Sequence, residues 1–234
     1  ARLRLVPASD EGLAVWTPRT VEADGTFRLV ASAPGRHLLV VDPPGSRWAA
    51  PRPRWVDPPA RGLTLVAPAP ASIAGRIEGA LDVAHVLIEA TVEGAAALAP
   101  ARAGKVAADG TFRIDGLGEG PWALLARSPG EGRYALATGL APGAEGVVLS
   151  LVPALRLEGE IRTAAGQVPE GIVFVRARGE SGTFSTQVEK DGLFAFGALP
   201  PGRYRLQTLP VNRTRWSKAI EVEAGRTDVR LTLP

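Results

Sequence analysis

In residues 155–162, Leu-Arg-Leu-Glu-Gly-Glu-Ile-Arg, every second position is apolar or glycine and every other one is charged. That period of two marks a strand with one buried and one wetted face. Comparable short apolar runs occur at residues 86–92, 134–138, 147–152 and 172–178, bounded by clusters of Gly and Pro. Runs of this length with turn residues at their ends predict an all-β chain rather than a helical one.

One longer pattern occurs three times. Residues 188–208 read VEKDGLFAFGALPPGRYRLQT, residues 21–41 VEADGTFRLVASAPGRHLLVV and residues 106–127 VAADGTFRIDGLGEGPWALLAR. The Asp-Gly steps Asp24-Gly25, Asp109-Gly110 and Asp191-Gly192 lie 85 and then 82 residues apart. Three residues after each Asp stands a Phe (Phe27, Phe112, Phe194), eleven after a Gly (Gly35, Gly120, Gly202), and thirteen after a ring (His37, Trp122, Tyr204). Asp bonds back to its local backbone and Gly accepts positive φ, so each step predicts a tight turn between strands. Past the third turn, Phe194 and Phe196 share a strand face. Pro200, Pro201 and Gly202 then reverse the chain into a strand whose Tyr204 and Leu206 share a face.

The run Asp191-Gly192-Leu193-Phe194-Ala195-Phe196, continued by Leu199-Pro200-Pro201-Gly202-Arg203-Tyr204, resembles the carboxypeptidase regulatory-like domain. A Gly-x-Ile strand at Gly159 and Ile161 before it and an apolar strand at residues 229–233 after it belong to the same resemblance. It covers essentially all of the third repeat, most of the second and the last two-thirds of the first. It implies a transthyretin-like (prealbumin-like), Ig-like Greek-key β-sandwich, here in three tandem copies at residues 1–67, 71–153 and 154–234. Domains of that family accompany zinc carboxypeptidases, surface proteins and transport receptors without doing chemistry themselves.

The first copy is expected to lack its first strand. Residues 1–6 align, by distance to the Asp-Gly turn, with the second strands at 86–92 and 172–178, and no Gly-x-Ile segment precedes them. The expected result is an incomplete sheet edge, which is a place for another chain to pair. The rest of that copy is expected to supply a strand around Leu13 and Val15, the hairpin, a strand at residues 37–41 and a closing strand at 62–66. Ala67-Pro68-Ala69-Pro70-Ala71 reads as a short, semi-rigid linker, and Val152-Pro153-Ala154 leaves almost no slack. Residues 93–103 read as a helical turn or a long loop.

Composition narrows the class. Hydrophobic residues make up 45% of 234 residues, and there is no Cys, so each small domain relies on apolar packing rather than on disulfides. There is no Met even at position 1, which reads as a processed or excised chain, and no apolar run of eighteen residues, so no membrane-inserting helix is expected. The 24 Arg and three Lys give a net charge of +3. Arg mostly alternates with apolar residues along strands, which places it on solvated faces and argues against a nucleic-acid partner.

No catalytic residue, metal site or cofactor is expected. His37 takes the ring position of its repeat, and His85 has no metal-ligand spacing around it. Gly116, Gly118 and Gly120 lack the Lys-Ser/Thr of a phosphate loop, and no G-x-S-x-G occurs. The candidate binding residues are Trp48, Arg52, Arg54 and Trp55, in the proline-rich stretch 43–55. Trp48 stands 24 residues past Asp24, as Tyr134 and Trp216 stand 25 past Asp109 and Asp191, so a packed ring belongs to each repeat there. Trp55, Arg52 and Arg54 have no counterparts and are the candidates for a ligand or neighbour. The expectation is a non-catalytic tandem arm, a spacer or protein-interaction scaffold in a larger extracytoplasmic (periplasmic, cell-surface or secreted) bacterial protein. Its partner is another protein or the remainder of its parent polypeptide. A carbohydrate- or peptide-binding module is the alternative, and an accessory portion of a peptidase rests on the resemblance alone.

Overall fold

The computed structural model describes residues 1–7, 19–31, 34–42, 49–80, 82–94, 101–211, 213 and 216–233. These residues form five β-sheets, with one 3-10 turn at Val83–His85. The strands fall into three successive sets that share no ladder among the described residues. The first holds β1 (Arg2–Pro7), β2 (Arg19–Thr20), β3 (His37–Asp42) and β4 (Arg54–Val56). The second holds β5 (Ala71–Glu78), β6 (Leu87–Val92), β7 (Arg102–Ala103), β8 (Lys105–Val106), β9 (Thr111–Leu117), β10 (Trp122–Ser128), β11 (Arg133–Leu140), β12 (Val147–Ser150) and β13 (Val152–Pro153). The third holds β14 (Leu155–Thr163), β15 (Val173–Gly179), β16 (Gly182–Gln187), β17 (Leu193–Leu199), β18 (Arg203–Pro210), β19 (Ile220–Glu223) and β20 (Val229–Leu233).

One sheet order recurs in all three sets: β2-β1-β3-β4, then β7-β6-β10-β11 with β13 added outside β11, then β16-β15-β18-β19. The strand that carries the ring residue at its first or second position lies inside the sheet each time, at β3, β10 and β18. A second sheet recurs only in the last two sets. There the Gly-x-Ile strand lies between the strand that leaves the Asp-Gly turn and the closing strand: β9-β5-β12 and β17-β14-β20. The turn strand pairs antiparallel and the closing strand parallel. The central glycine of each is obligatory. A Cβ on Gly75 would meet the Val147 carbonyl and come 2.9 Å from Phe112 Cζ, and one on Gly159 would meet the Val229 carbonyl and come 2.8 Å from Phe194 Cζ.

In the first set the expected hairpin strand after Asp24 and the expected closing strand at 62–66 do not form: residues 26–30 and 63–66 are in no ladder. The physical reason is that both would hydrogen-bond to a Gly-x-Ile strand, and no described segment supplies one. Each still alternates half-buried and exposed residues, with Phe27, Leu29, Leu63 and Leu65 turned to the core. The expected strand around Leu13 and Val15 lies outside the described residues. In residues 93–103, Glu93 and Gly94 form a turn and β7 pairs with Glu89 and Ala90, so the loop returns to its sheet edge as a short strand.

The three Asp-Gly turns are built alike. Gly25, Gly110 and Gly192 have φ of 84°, 84° and 89°, the left-handed region that favours glycine. The Asp carboxylate accepts the backbone N–H two residues on, at 2.9 Å for Asp24 with Thr26 and 3.0 Å for both Asp109 with Thr111 and Asp191 with Leu193. The Thr26 and Thr111 hydroxyls donate to the same carboxylates at 2.7 Å. The backbone N–H of Thr26, seconded by its hydroxyl, holds Asp24 below the ordinary carboxylate range. At Asp109 the Thr111 hydroxyl is the larger cause and its N–H the second. Because these pKa values are lowered in the folded state, the turns' contribution is fully present above the ordinary carboxylate value and is lost as pH falls through the lowered one. We expect the protection factor of the Thr111 amide, its exchange rate relative to an unstructured peptide at the same pH, to fall in acid, and Asp109→Asn to flatten that pH dependence, measured by NMR.

Burial does not stop at the boundaries between sets. Leu3, Leu39, Val41 and Val56 form a core within the first set, whereas Val6, Leu38 and Val40 belong to the buried cluster of the second. Strand β3 is therefore covered on both faces, as its nearly continuous His-Leu-Leu-Val-Val run requires. Likewise Leu125 of β10 is buried in the third set's cluster, with Tyr134 packed against it.

Candidate interaction surface

The ring that ends each repeated motif is buried and tied to the preceding loop. Tyr204 donates its phenol O–H to the Pro200 carbonyl at 2.9 Å, and Trp122 its Nε1–H to the Gly118 carbonyl at 3.1 Å. His37 Nδ1 lies 2.8 Å from the Gly35 carbonyl. All three rings serve packing, as expected of His37.

Of the candidate binding residues, Trp48 lies outside the described residues. Trp55 sits in edge strand β4, opposite Leu38 of β3, with 38% of its surface exposed. The guanidinium carbon of Arg36 lies 5.4 Å from the Trp55 ring centroid, within cation–π range. Sequence reasoning did not single out Arg36, which stands outside the proline-rich stretch 43–55 and meets Trp55 only through the fold. Arg54, adjacent on β4, reaches the Thr64 carbonyl with Nη1 at 3.4 Å. Arg52 is exposed before β4. The structure thus brings Trp55 together with Arg36, while Arg54 ties β4 to residues 63–66. What this patch offers is one amphipathic ring face with cations around it.

A second aromatic–Arg cluster went unrecognised in the sequence. In β15, Val173, Val175 and Ala177 face the core, so Arg176 and Arg178 fall on the opposite face, yet both are buried. Trp216 covers that face, its ring centroid 3.9 Å from the Arg176 guanidinium carbon. Arg176 donates through Nη2 to Gln207 Oε1 at 2.5 Å, and Gln207 Nε2 donates to the Ser217 carbonyl at 2.9 Å. Burial, with the charge of Arg178 second, pulls the Arg176 guanidinium down to about 9. Trp216 and Ser217 therefore lie over the outer face of β15 and β18 at Arg176 and Gln207. Trp216 packs, in keeping with its place in the repeat.

A third feature belongs to the first set alone. Its two unpaired segments end on Val30 and Val66, 77% and 74% exposed, more than any other large hydrophobic residue described. The Gly110 and Gly192 carbonyls accept the N–H of Ile77 and Ile161 on the Gly-x-Ile strands, at 2.9 and 2.8 Å, whereas Gly25 accepts no backbone N–H among the described residues. Space beside Gly25 is open as well: a Cβ there would meet nothing within 4 Å, where Gly110 and Gly192 lie against the strand backbone.

Among the described residues no three His, Cys, Asp or Glu side chains converge as metal ligands, and no helix is long and apolar enough to cross a membrane. No family model and no curated protein matches the sequence. Solved structures similar to it include a DUF3823 family protein from Parabacteroides merdae, 15% identical over 66% of this chain and 99% of that one, with a TM-score of 0.31. A streptococcal ancillary pilin is 14% identical over 86% of this chain and 76% of its own, with a TM-score of 0.27. The minor pilin of Streptococcus agalactiae is 12% identical over 70% and 94%, also at 0.27. These likenesses are too distant to say what this chain does.

Proposed function

We propose that the chain is a non-catalytic arm of three tandem β-sandwich domains, at residues 1–67, 71–153 and 154–234, of the carboxypeptidase regulatory-like kind. Its role is to space or present other parts of an extracytoplasmic protein or assembly. The observation that carries this reading is the way the units join. Pro153 ends β13, Ala154 donates its N–H to the Gly132 carbonyl at 2.8 Å, and Leu155 begins β14. Leu125 is buried across the same junction. A joint with no free linker and apolar contact on its sides holds an angle, which is what a spacer requires. Small-angle scattering tests it: the intact chain should fit one rigid shape, and Leu125→Glu should broaden the distribution of interatomic distances. Scattering from the intact chain that already requires freely jointed units would defeat the spacer reading.

The patch of Trp55 and Arg36 favours a second reading, a carbohydrate- or peptide-binding module. Quenching or a spectral shift of Trp55 fluorescence on titration with oligosaccharides, lost in Trp55→Phe, would support it. Flat titrations would remove it.

A further inference from the structure

We propose that the first unit binds an acidic oligosaccharide, one bearing carboxylate or sulfate groups, across the edge strand β4. Trp55 is the platform for a sugar ring, and Arg36, Arg52 and Arg54 are the partners of its anionic groups. This rests on the binding-module reading of the same patch and fixes its ligand class.

In the other two units, exposed arginines stand beside their own counter-charges. Arg76 pairs with Glu78, Arg113 with Asp115, Arg156 with Glu158 and Arg226 with Asp228, each an acid two residues on. Around β4 the arrangement differs. Two residues from Arg54 stand Arg52 and Val56, and two residues from Arg36 stand Pro34 and Leu38, none of them acidic. Arg36, Arg52 and Arg54 are exposed, and among the described residues none of the three is in an ion pair. Asp57 is the one acid in residues 49–66 and pairs with none of them. Uncompensated guanidiniums at a surface are the electrostatic half of an anion site, and the planar fork of Arg fits two oxygens of an acidic group at once.

Trp55 supplies the apolar half. It lies opposite Leu38 on one face of the sheet, where the Arg36 guanidinium stands over its ring, while Arg54 and Val56 fall on the other face. A ligand crossing the β4 edge therefore meets a ring and a cation on one side and Arg54 on the other, with Arg52 just ahead. A sugar matches that combination: its C–H face suits the indole, and acidic substituents at its rim suit the guanidiniums. β4 is outermost in its sheet, but a peptide adding as a strand finds few bonds there. The strand has three residues, Pro51 and Pro53 precede it, Pro58 and Pro59 follow, and no proline has an N–H to donate.

The test is titration of the intact chain at low salt with hexagalacturonate, a heparin hexasaccharide, neutral maltohexaose and polyglutamate. We expect at least one of the two acidic sugars to bind saturably, one per chain, and at least about tenfold more tightly than maltohexaose, the weight of one charge-assisted hydrogen bond. That binding should weaken as salt rises. Hexagalacturonate alone would assign carboxylate recognition, and heparin alone sulfate. Arg36→Gln combined with Arg52→Gln should erase the preference for the acidic sugar in a protein whose circular dichroism stays native, since Arg52 makes no contact among the described residues and Arg36 only its contact with Trp55. Maltohexaose binding as tightly as the acidic sugars overturns the proposal and leaves the binding-module reading standing. Polyglutamate binding as tightly overturns it as well, because charge alone would then suffice. No binding of any of the four removes both, and a preference for acidic sugar that survives in the double variant overturns the assignment to this patch.

Discussion

Gly159→Ala is expected to destabilise the third unit by about 3 kcal/mol, near the upper end for overpacking, although in an ordinary strand interior the change would stabilise by roughly 0.5–1 kcal/mol. The sign is set by the neighbours. The new methyl would meet the Val229 carbonyl of the parallel closing strand and lie 2.8 Å from Phe194 Cζ. One is backbone held in a ladder, and the other a ring buried in the core, so neither gives way without breaking its own contacts. Urea unfolding followed by near-ultraviolet circular dichroism, with amide spectra to locate the change, should find the loss in residues 155–233 and a native second unit. Gly75→Ala should do the same to the second unit.

Tyr204→Ala is the second large effect, about 4 kcal/mol, as for deletion of a buried aromatic ring. The ring is 1% exposed and packs edge-on to Phe184 with centroids 5.8 Å apart. Tyr204→Phe keeps that packing and loses the hydroxyl's bonds to Pro200 and Ser181, a cost of about 1–2 kcal/mol. The two variants separate packing from hydrogen bonding in one thermal-unfolding series. Burial pushes the phenol up to about 12 from its ordinary 10.0. Tyr204's proton-linked stability is thus whole below pH 10 and falls away as pH rises toward 12, and Tyr204→Phe should remove that alkaline sensitivity.

The residues that made the architecture legible are those whose backbone or ring has a single use. Asp109-Gly110 can hardly be other than a tight turn, and a ring thirteen residues after Asp109 has to be buried in a unit this small. Less legible was anything decided by what lies against the other face of a strand. Arg176 and Arg178 follow the same alternation as the solvated Arg residues elsewhere yet are buried, Arg176 with the Trp216 ring over its guanidinium. Leu38 and Val40 read as part of a strand, but not as contacts to the second unit's cluster. Residues 26–30 have a strand's pattern and do not form one, because a strand exists only with a neighbour to bond to. In the candidate patch, Trp55 stood out in the sequence for lacking a counterpart, whereas Arg36, the cation near its ring, did not, because it comes from outside the proline-rich stretch.

The parallel pairing of β5 with β12 and of β14 with β20 bears on tension. In each complete unit the chain enters at the start of the first strand of the pair and comes back to it only with the parallel closing strand, followed in the second unit by β13. Pulling on the two ends slides these strands past each other along their length, so the hydrogen bonds between them share the load and must yield together instead of peeling apart singly. Units built this way resist extension along that seam.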